Sequence, residues 1–455
     1  MNDHSAGAAG GLDARGWGGH PRGLSTLFFT EMWERFSYYG MRAFLILYMT
    51  TPAAAGGLGF DVQHAGSIYG TYTGSVWLAT IGGGIVADRM LGAYRSVLVG
   101  GIIIALGHFT LAFEALPFFY SGLILIVIGT GLLKPNATTL LGTLYDAQDA
   151  RRDAGFSIFY MGINLGAFIG PIIAGFLAER INWHAGFACA GVGMTIGLIQ
   201  YVVSRDRLRH AEGRLAARAA TIPQTAGATS ASGGPIAGFT RVEWMRMAAV
   251  LVFFVFAAIF WAAYEQAAST LALFTDKFAD RSLLGWTIPT SWFVSIQAMF
   301  VIMLSPVFAW LWVRLGRREP STPAKFAIGL LFAGLSFVLL FPAGVMAQRS
   351  QGAATISALW LVSAYFLQVI GELCLSPVGN SVVTKLAPIK VVGMMMGLWF
   401  LSIAAGNKLS GFIAGLSATV PYTTLFSGIA ALTLGAALVL FLFIGPIRRL
   451  MGGVH

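Results

Sequence analysis

Charged side chains are scarce in this chain of 455 residues: they make up 11% of it, against 56% hydrophobic residues. A soluble domain carries about a quarter charged residues, so this composition, with a mean hydropathy of +0.74, places the chain in the bilayer. Cysteine is nearly absent. Cys189 and Cys374 fall in separate apolar runs, which excludes a disulfide framework or zinc spacing and reads as two buried structural thiols. Histidine is displaced from the apolar runs, with His4, His20, His210 and His455 in tails or linker and His64 and His184 at run ends. Only His108 lies within a run, without an acidic neighbour at helical spacing, so proton chemistry near neutral pH falls to carboxylates. A Walker-A loop, a Cys/His metal cluster and an ordered Ser/His/Asp set are all missing. That removes ATP hydrolysis and intramembrane proteolysis, and the chain reads as no enzyme and as needing no cofactor beyond protons as a coupling ion. The period-2 alternation of barrel strands is missing too, which leaves helices.

What is present is a succession of apolar runs long enough to cross about 30 Å of hydrocarbon at roughly 20 residues each. Twelve such runs lie between residues 24–50 and 421–447. The expected fold is therefore an all-α membrane protein of twelve transmembrane helices in two six-helix bundles. Residues 1–23 read as a hydrophilic tail, 24–204 as the first bundle, 205–243 as a linker, 244–447 as the second bundle and 448–455 as a short tail. The linker opens as a basic helical pattern and continues rich in Ser, Gly and Pro. The net charge of +10 is scattered between runs, so it reports topology and not a nucleic-acid partner. With the N-terminus inside, 21 of the 29 basic residues flank the cytoplasmic ends and only Arg180, Lys277, Arg281 and Arg349 the other side, which puts both termini in the cytoplasm. IVADRMLGAYRS and FAWLWVRLGRRE occupy matching places in the two halves, and parallel halves imply a binding site between the bundles near the midplane.

Arg35, Arg42, Lys134 and Lys408 remain inside spans. The stretch TEMWERFSYYGMR, residues 30–42, places Glu31, Glu34, Arg35, Tyr38 and Arg42 within roughly 100° of one another on a helix, with Tyr39 at the edge. An uncompensated charge at the bilayer centre costs about 2.5 to 3.5 kcal/mol on insertion scales, so the stripe is expected to pair internally and face water. Glu31 and Arg35, at i and i+4, are the natural pair. Lys134 in span 4, Glu265 in span 7 and Glu372 in span 10 supply further charges, with Pro135 and Pro377 close by as hinge points. Span 5 adds Tyr160 and Asn164 and span 8 adds Gln297. A charged zipper between helices is one reading. A pathway whose charges exchange partners is the other, favoured because helix contacts in membranes usually use small or neutral polar residues.

These residues carry a family likeness. Glu31, Glu34, Arg35, Phe36, Tyr38, Tyr39 and Gly40 match E-x-x-E-R-F-x-Y-Y-G of the proton-dependent oligopeptide transporters, a branch of the major facilitator superfamily. The likeness continues through LLKPN at 132–136, FSIFYMGINLGAFIGP at 156–171, FWxxxEQ at 260–266 and GELxxSPVG at 371–379, and Gly84, Asp88, Arg89, Gly92 and Arg95 resemble the superfamily loop motif. The resemblance implies a bacterial inner-membrane symporter that imports di- and tripeptides with protons and works as a monomer. It implies that Arg35, Arg42 and Lys134 receive the peptide carboxylate, Glu372 the amino group and Asn164 the peptide backbone. It also implies that Lys134 and Glu265 form an interbundle gate and that Glu31, Glu34 and Arg35, with Glu265, couple proton to peptide. Tyr38, Tyr39, Trp399 and Phe400 are candidates for side-chain pockets. Trp77 and Gln297 stand where the family has a tyrosine and an asparagine, and Gly70 aligns with the histidine of animal members. The same fold carrying nitrate, a drug or another small acid, or a membrane sensor that transports nothing, are the alternatives. Nitrate would have no use for Glu372.

Overall fold

The computed structural model describes residues 16–146, 149–221, 239–349, 356–388 and 391–452. Its helices are α1 (Arg22–Thr50), α2 (Val62–Val86), α3 (Ala93–Leu111), α4 (Leu116–Thr143), α5 (Arg152–Arg180), α6 (Trp183–Val203), α7 (Arg209–Thr221) and α8 (Arg241–Tyr264). They continue as α9 (Thr270–Phe278), α10 (Trp292–Leu315), α11 (Thr322–Arg349), α12 (Leu359–Leu386), α13 (Val392–Leu416), α14 (Tyr422–Leu442) and α15 (Ile444–Leu450). Long helices follow from the apolar runs, because in hydrocarbon each backbone N–H and C=O must find its partner within the segment. Among the described residues nine helical segments, with α8 and α9 counted as one, are long and apolar enough to cross a membrane. The segment holding Glu31, Glu34, Arg35 and Arg42 is not one of them. The basic half of the expected linker forms α7, and much of its Ser/Gly-rich half lies outside the described residues. The linker ends in a capping box, Thr240 Oγ1 accepting from Glu243 N (3.2 Å) and Glu243 Oε2 from Thr240 N (2.7 Å), which starts α8.

The chain divides into two compact units that cut across the two halves. The first holds the described residues of Met1–Tyr39, Ala79–Gly170 and Phe187–Ala237. Its core gathers Leu24, Leu27, Val97, Ile104, Leu133, Leu140 and Tyr201. α3 and α4 approach backbone to backbone, since a Cβ on Gly100 would stand 2.6 Å from the Gly129 carbonyl and one on Gly129 equally close to that of Gly100. At one end of this unit the chain before α1 is tied to the α4–α5 connection. His20 Nδ1 lies 2.9 Å from Tyr145 Oη, and Arg151 donates to the Gly19 carbonyl (2.6 Å). Burial pushes the Tyr145 phenol up to about 12. From the linker, Arg214 reaches Asp146 at 3.1 Å.

The second unit holds the described residues of Gly40–Leu78, Pro171–Gly186 and Gly238–His455. Phe253, Phe260, Phe326, Leu330, Phe337, Tyr365 and Phe426 are fully buried in its core. β1 (Ala279–Asp280) pairs in parallel with β4 (Ile356–Ser357), and β2 (Ser282–Leu283) pairs antiparallel with β3 (Trp286–Thr287). Beside this hairpin Glu179 accepts from the Thr290 and Ser291 backbone N–H groups at 2.7 and 2.8 Å, and Arg281 reaches Asp276 at 3.2 Å. α2 meets α13 through glycine, because a Cβ on Gly411 would lie 2.3 Å from the Gly66 carbonyl and 2.4 Å from Gly70 Cα.

Both contacts are backbone and cannot yield as a flexible side chain would. Gly411→Val should therefore lower the unfolding temperature in detergent, at a cost of about 1 to 3 kcal/mol or more. Gly428→Val, at a position with open space around it, should leave the unfolding temperature nearly unchanged.

Candidate functional site

The first unit buries the acidic half of the α1 stripe. Glu31, Glu34 and Arg35 are at most 1% exposed. Arg35 grips Glu34 with two donors, Nε and Nη2, on the two carboxylate oxygens. Glu31, the partner expected from i,i+4 spacing, stands further off at 3.6 Å. Arg35 instead turns to its immediate neighbour, because a fork-shaped guanidinium gains more from a bidentate carboxylate than from a single contact. Its carbon also lies 4.9 Å from the Tyr38 ring centre and 5.7 Å from that of Tyr39, so the two tyrosines expected in a side-chain pocket line the guanidinium.

Lys134, on α4, brings its Nζ to 3.7 Å from Glu31 Oε1. Its side chain, 19% exposed, is the most accessible of the four charges. Glu31 Oε2 is buried with no hydrogen-bond partner among the described residues. Asn164 spends its amide locally, donating to the Tyr160 carbonyl one turn back at 2.9 Å.

The second unit holds the other end of the stripe. Arg42 pairs with Glu265 and donates from Nε to Tyr69 Oη at 2.8 Å. Glu265 opens a 3₁₀ turn, Glu265–Ala268, that interrupts α8 after Tyr264. The break falls there, and not at the expected prolines: Pro135 lies inside a continuous α4 and Pro377 inside a continuous α12. Across the break adjacent residues serve different groups. Glu265 meets Arg42, while Tyr264 Oη donates to Glu372 Oε2 on α12. Gln297 donates to Gln368 at 2.8 Å, and Gln368 in turn to Ser336 at 3.3 Å, a buried chain joining α10, α12 and α11.

Trp77 stacks on Phe400 with ring centres 5.9 Å apart. Trp399 is 2% exposed and packs against Phe326 at 6.2 Å, an apolar core position. Lys408 donates to Thr71 on α2.

Two of these arrangements escape sequence reasoning. The Arg42 to Glu265 pair joins residues 223 positions apart with nothing in the local pattern to match them. The Tyr264 to Glu372 bond depends on a helix break that no proline or glycine announces.

Comparison with known proteins bears on this arrangement. The family described as PTR2, POT family, matches residues 94–229 and 239–442. The chain is 42% identical to an uncharacterized transporter, YclF, of Bacillus subtilis, over 97% of each chain. It is 37% identical to a di-/tripeptide transporter of Lactococcus lactis subsp. cremoris, over 96% of this chain and 98% of that one. The crystal structure of a mutant of a peptide transporter POT in complex with alafosfalin is similar at a TM-score of 0.87 and 40% identity, covering 97% of this chain and 98% of that one.

The buried pair of the second unit yields a direct test. Arg42→Ala strands the Glu265 carboxylate and should cost about 3 to 5 kcal/mol of stability. Adding Glu265→Gln to it should recover part of that loss, read as a rise in unfolding temperature over the single variant. Simple additivity of the two losses would show that the ion pair is not what holds Arg42 and Glu265.

Proposed function

The chain belongs to the POT family, and on that premise we propose that it is a symporter importing di- and tripeptides with protons by alternating access. One observation carries the coupling: buried Glu31, Glu34 and Arg35 and half-buried Lys134 form a group whose formal charges, all ionised, sum to zero. A peptide carboxylate arriving alone on Arg35 or Lys134 would leave the group negative in a poorly solvated place. A proton arriving alone would leave it positive. Together they restore neutrality, so each favours the binding of the other, and the linkage is reciprocal.

Glu31 is the carboxylate best suited to the proton. Its Oε2 has no hydrogen-bond partner among the described residues, whereas both Glu34 oxygens are held by Arg35. Arg42 takes part in carboxylate recognition, and Glu372 takes the peptide amino group. Lys134 and Glu265 are the proposed gate: each holds another partner here, Glu31 and Arg42 respectively, and exchange among these four would let protonation drive the change of state. Trp77 and Phe400 are the aromatic pair available to a peptide side chain, and Trp399 supports them from the core. Asn164 and Gln297 would reach a peptide by giving up the bonds they now make. The twelve long helices, α1 to α6, α8 and α10 to α14, are read as twelve spans of a bacterial inner-membrane protein that works as a monomer with both termini in the cytoplasm. The Arg-rich segments between helices support that orientation.

The name of the Lactococcus relative and the alafosfalin-bound structure support a peptide as cargo. Proteoliposomes holding the purified protein should accumulate dialanine when the pH gradient is inward, and a protonophore should collapse that accumulation. Indifference to dialanine would overturn the reading. Glu34→Gln should abolish driven accumulation while leaving exchange of internal for external peptide, because the proton-linked charge balance is lost while the cationic groups remain. Lys134→Ala should impair driven uptake strongly, since Glu31 then loses its α4 partner.

A further inference from the structure

Glu372 differs from the other buried carboxylates of the spans: among the described residues its partner is a neutral hydroxyl, that of Tyr264, and no cation pairs with it. The hydroxyl is held firmly. Tyr264 stacks on Phe260 with ring centres 5.8 Å apart and an interplanar angle of 22°, and it meets Trp261 edge-on at 5.6 Å. Phe260 is fully buried and lies against the residue before Glu372, since a Cβ on Gly371 would stand 3.3 Å from its ring. Gly371 also brings α12 onto α11, with its Cβ position only 2.6 Å from the Gly329 carbonyl. Tyr264 closes α8, and the 3₁₀ turn that follows sends Glu265 to Arg42. The tyrosine ring is thus packed against Phe260 and Trp261, and its O–H is aimed at one carboxylate oxygen.

A carboxylate accepts on two oxygens. With Oε2 taken by Tyr264, Oε1 is the oxygen left for a ligand, and a cationic one would supply the charge that the protein itself withholds from this site. We propose that Tyr264 is a positioning residue that orients Glu372 for the amino end of a peptide, so that its hydroxyl sets the preference for a free over a blocked α-amine. This rests on the peptide-carrier reading above. Tyr264 touches Glu372, and through it the substrate.

The test compares the full-length protein with Tyr264→Phe, which keeps the ring and its stacking and removes only the donor. Uptake of labelled dialanine into proteoliposomes gives KM and maximal rate, and competition by unlabelled dialanine and by N-acetyl-dialanine gives the amine preference. Tyr264→Phe should raise KM for dialanine about tenfold, the worth of one hydrogen bond to a charged group, with the maximal rate within about twofold, as expected when binding alone is weakened. The advantage of dialanine over its N-acetyl form should shrink by the same factor. In a Glu372→Gln background the tyrosine substitution should add little, because the oriented charge is already gone. An unchanged KM and amine preference in Tyr264→Phe would overturn the proposal, as would an equal effect in the Glu372→Gln background. Dialanine-induced thermal stabilisation of the purified variants reads the same preference without transport, so a variant that binds normally but carries poorly also counts against it. A wild-type protein that ignores dialanine would remove the carrier reading itself, and an intact wild type with an indifferent Tyr264→Phe removes only the role of Tyr264.

Discussion

Charge buried in a poorly solvated helix has to be met by charge or by donors, and the sites of this protein are arrangements that satisfy that demand. α1 carries four charges in its interior, and left alone they would forbid the segment from the membrane. Three of them, Glu31, Glu34 and Arg35, are met within one turn of the helix and by Lys134 from α4. The fourth, Arg42, is met by Glu265 from the break in α8. α1 is therefore held by ion pairs as well as by buried apolar side chains such as Leu27, Met41 and Phe44, and on the proposed reading the pairs are made by residues that a ligand or a proton also engages. On that reading stability and function draw on the same contacts.

The interruption of α8 has a second consequence. A straight helix would turn Tyr264 and Glu265 about 100° apart along one regular path. The 3₁₀ turn instead begins at Glu265, and the two neighbours divide between Glu372 on α12 and Arg42 on α1. Any rearrangement that frees Glu265 acts on the residue next to the donor of Glu372. On the proposed reading, the gate and the amino-group site share one peptide bond, which is a short mechanical path between them.

The stripe on α1 was legible from spacing, because helical periodicity fixes where each Cβ points. The partners were not. Periodicity gives Glu31 and Arg35 as the pair, yet the guanidinium fork closes on Glu34, a choice made by the ends of long side chains that the wheel does not describe. Trp399 and Phe400 are adjacent aromatics in one apolar run, and only packing decides that the first fills the core and the second faces Trp77. The α8 break lacks the usual glycine or proline, so AAYEQAAST reads as uninterrupted helix. The division into two compact units also lay beyond the sequence, since hydropathy orders segments along the chain but does not say which ends of α1, α2, α5 and α6 pack with which group.

On the proposed reading, charge balance also separates the two ends of the ligand. A dipeptide is a zwitterion, neutral overall but with its two charges well separated. Its amino end brings a positive charge to Glu372, whose partner among the described residues is a neutral donor, and that site becomes neutral. Its carboxylate brings a negative charge to a group that was already neutral. The imbalance at the second end, not at the first, is what a proton must correct, and a proton on Glu31 or Glu34 does so. On that reading the coupling ion follows from the way the described residues distribute their charge: one site short of a cation, the other complete without the ligand. A ligand lacking the amine would leave Glu372 as it is and still require the proton at the other end, so coupling and amine recognition are separable properties of the two sites.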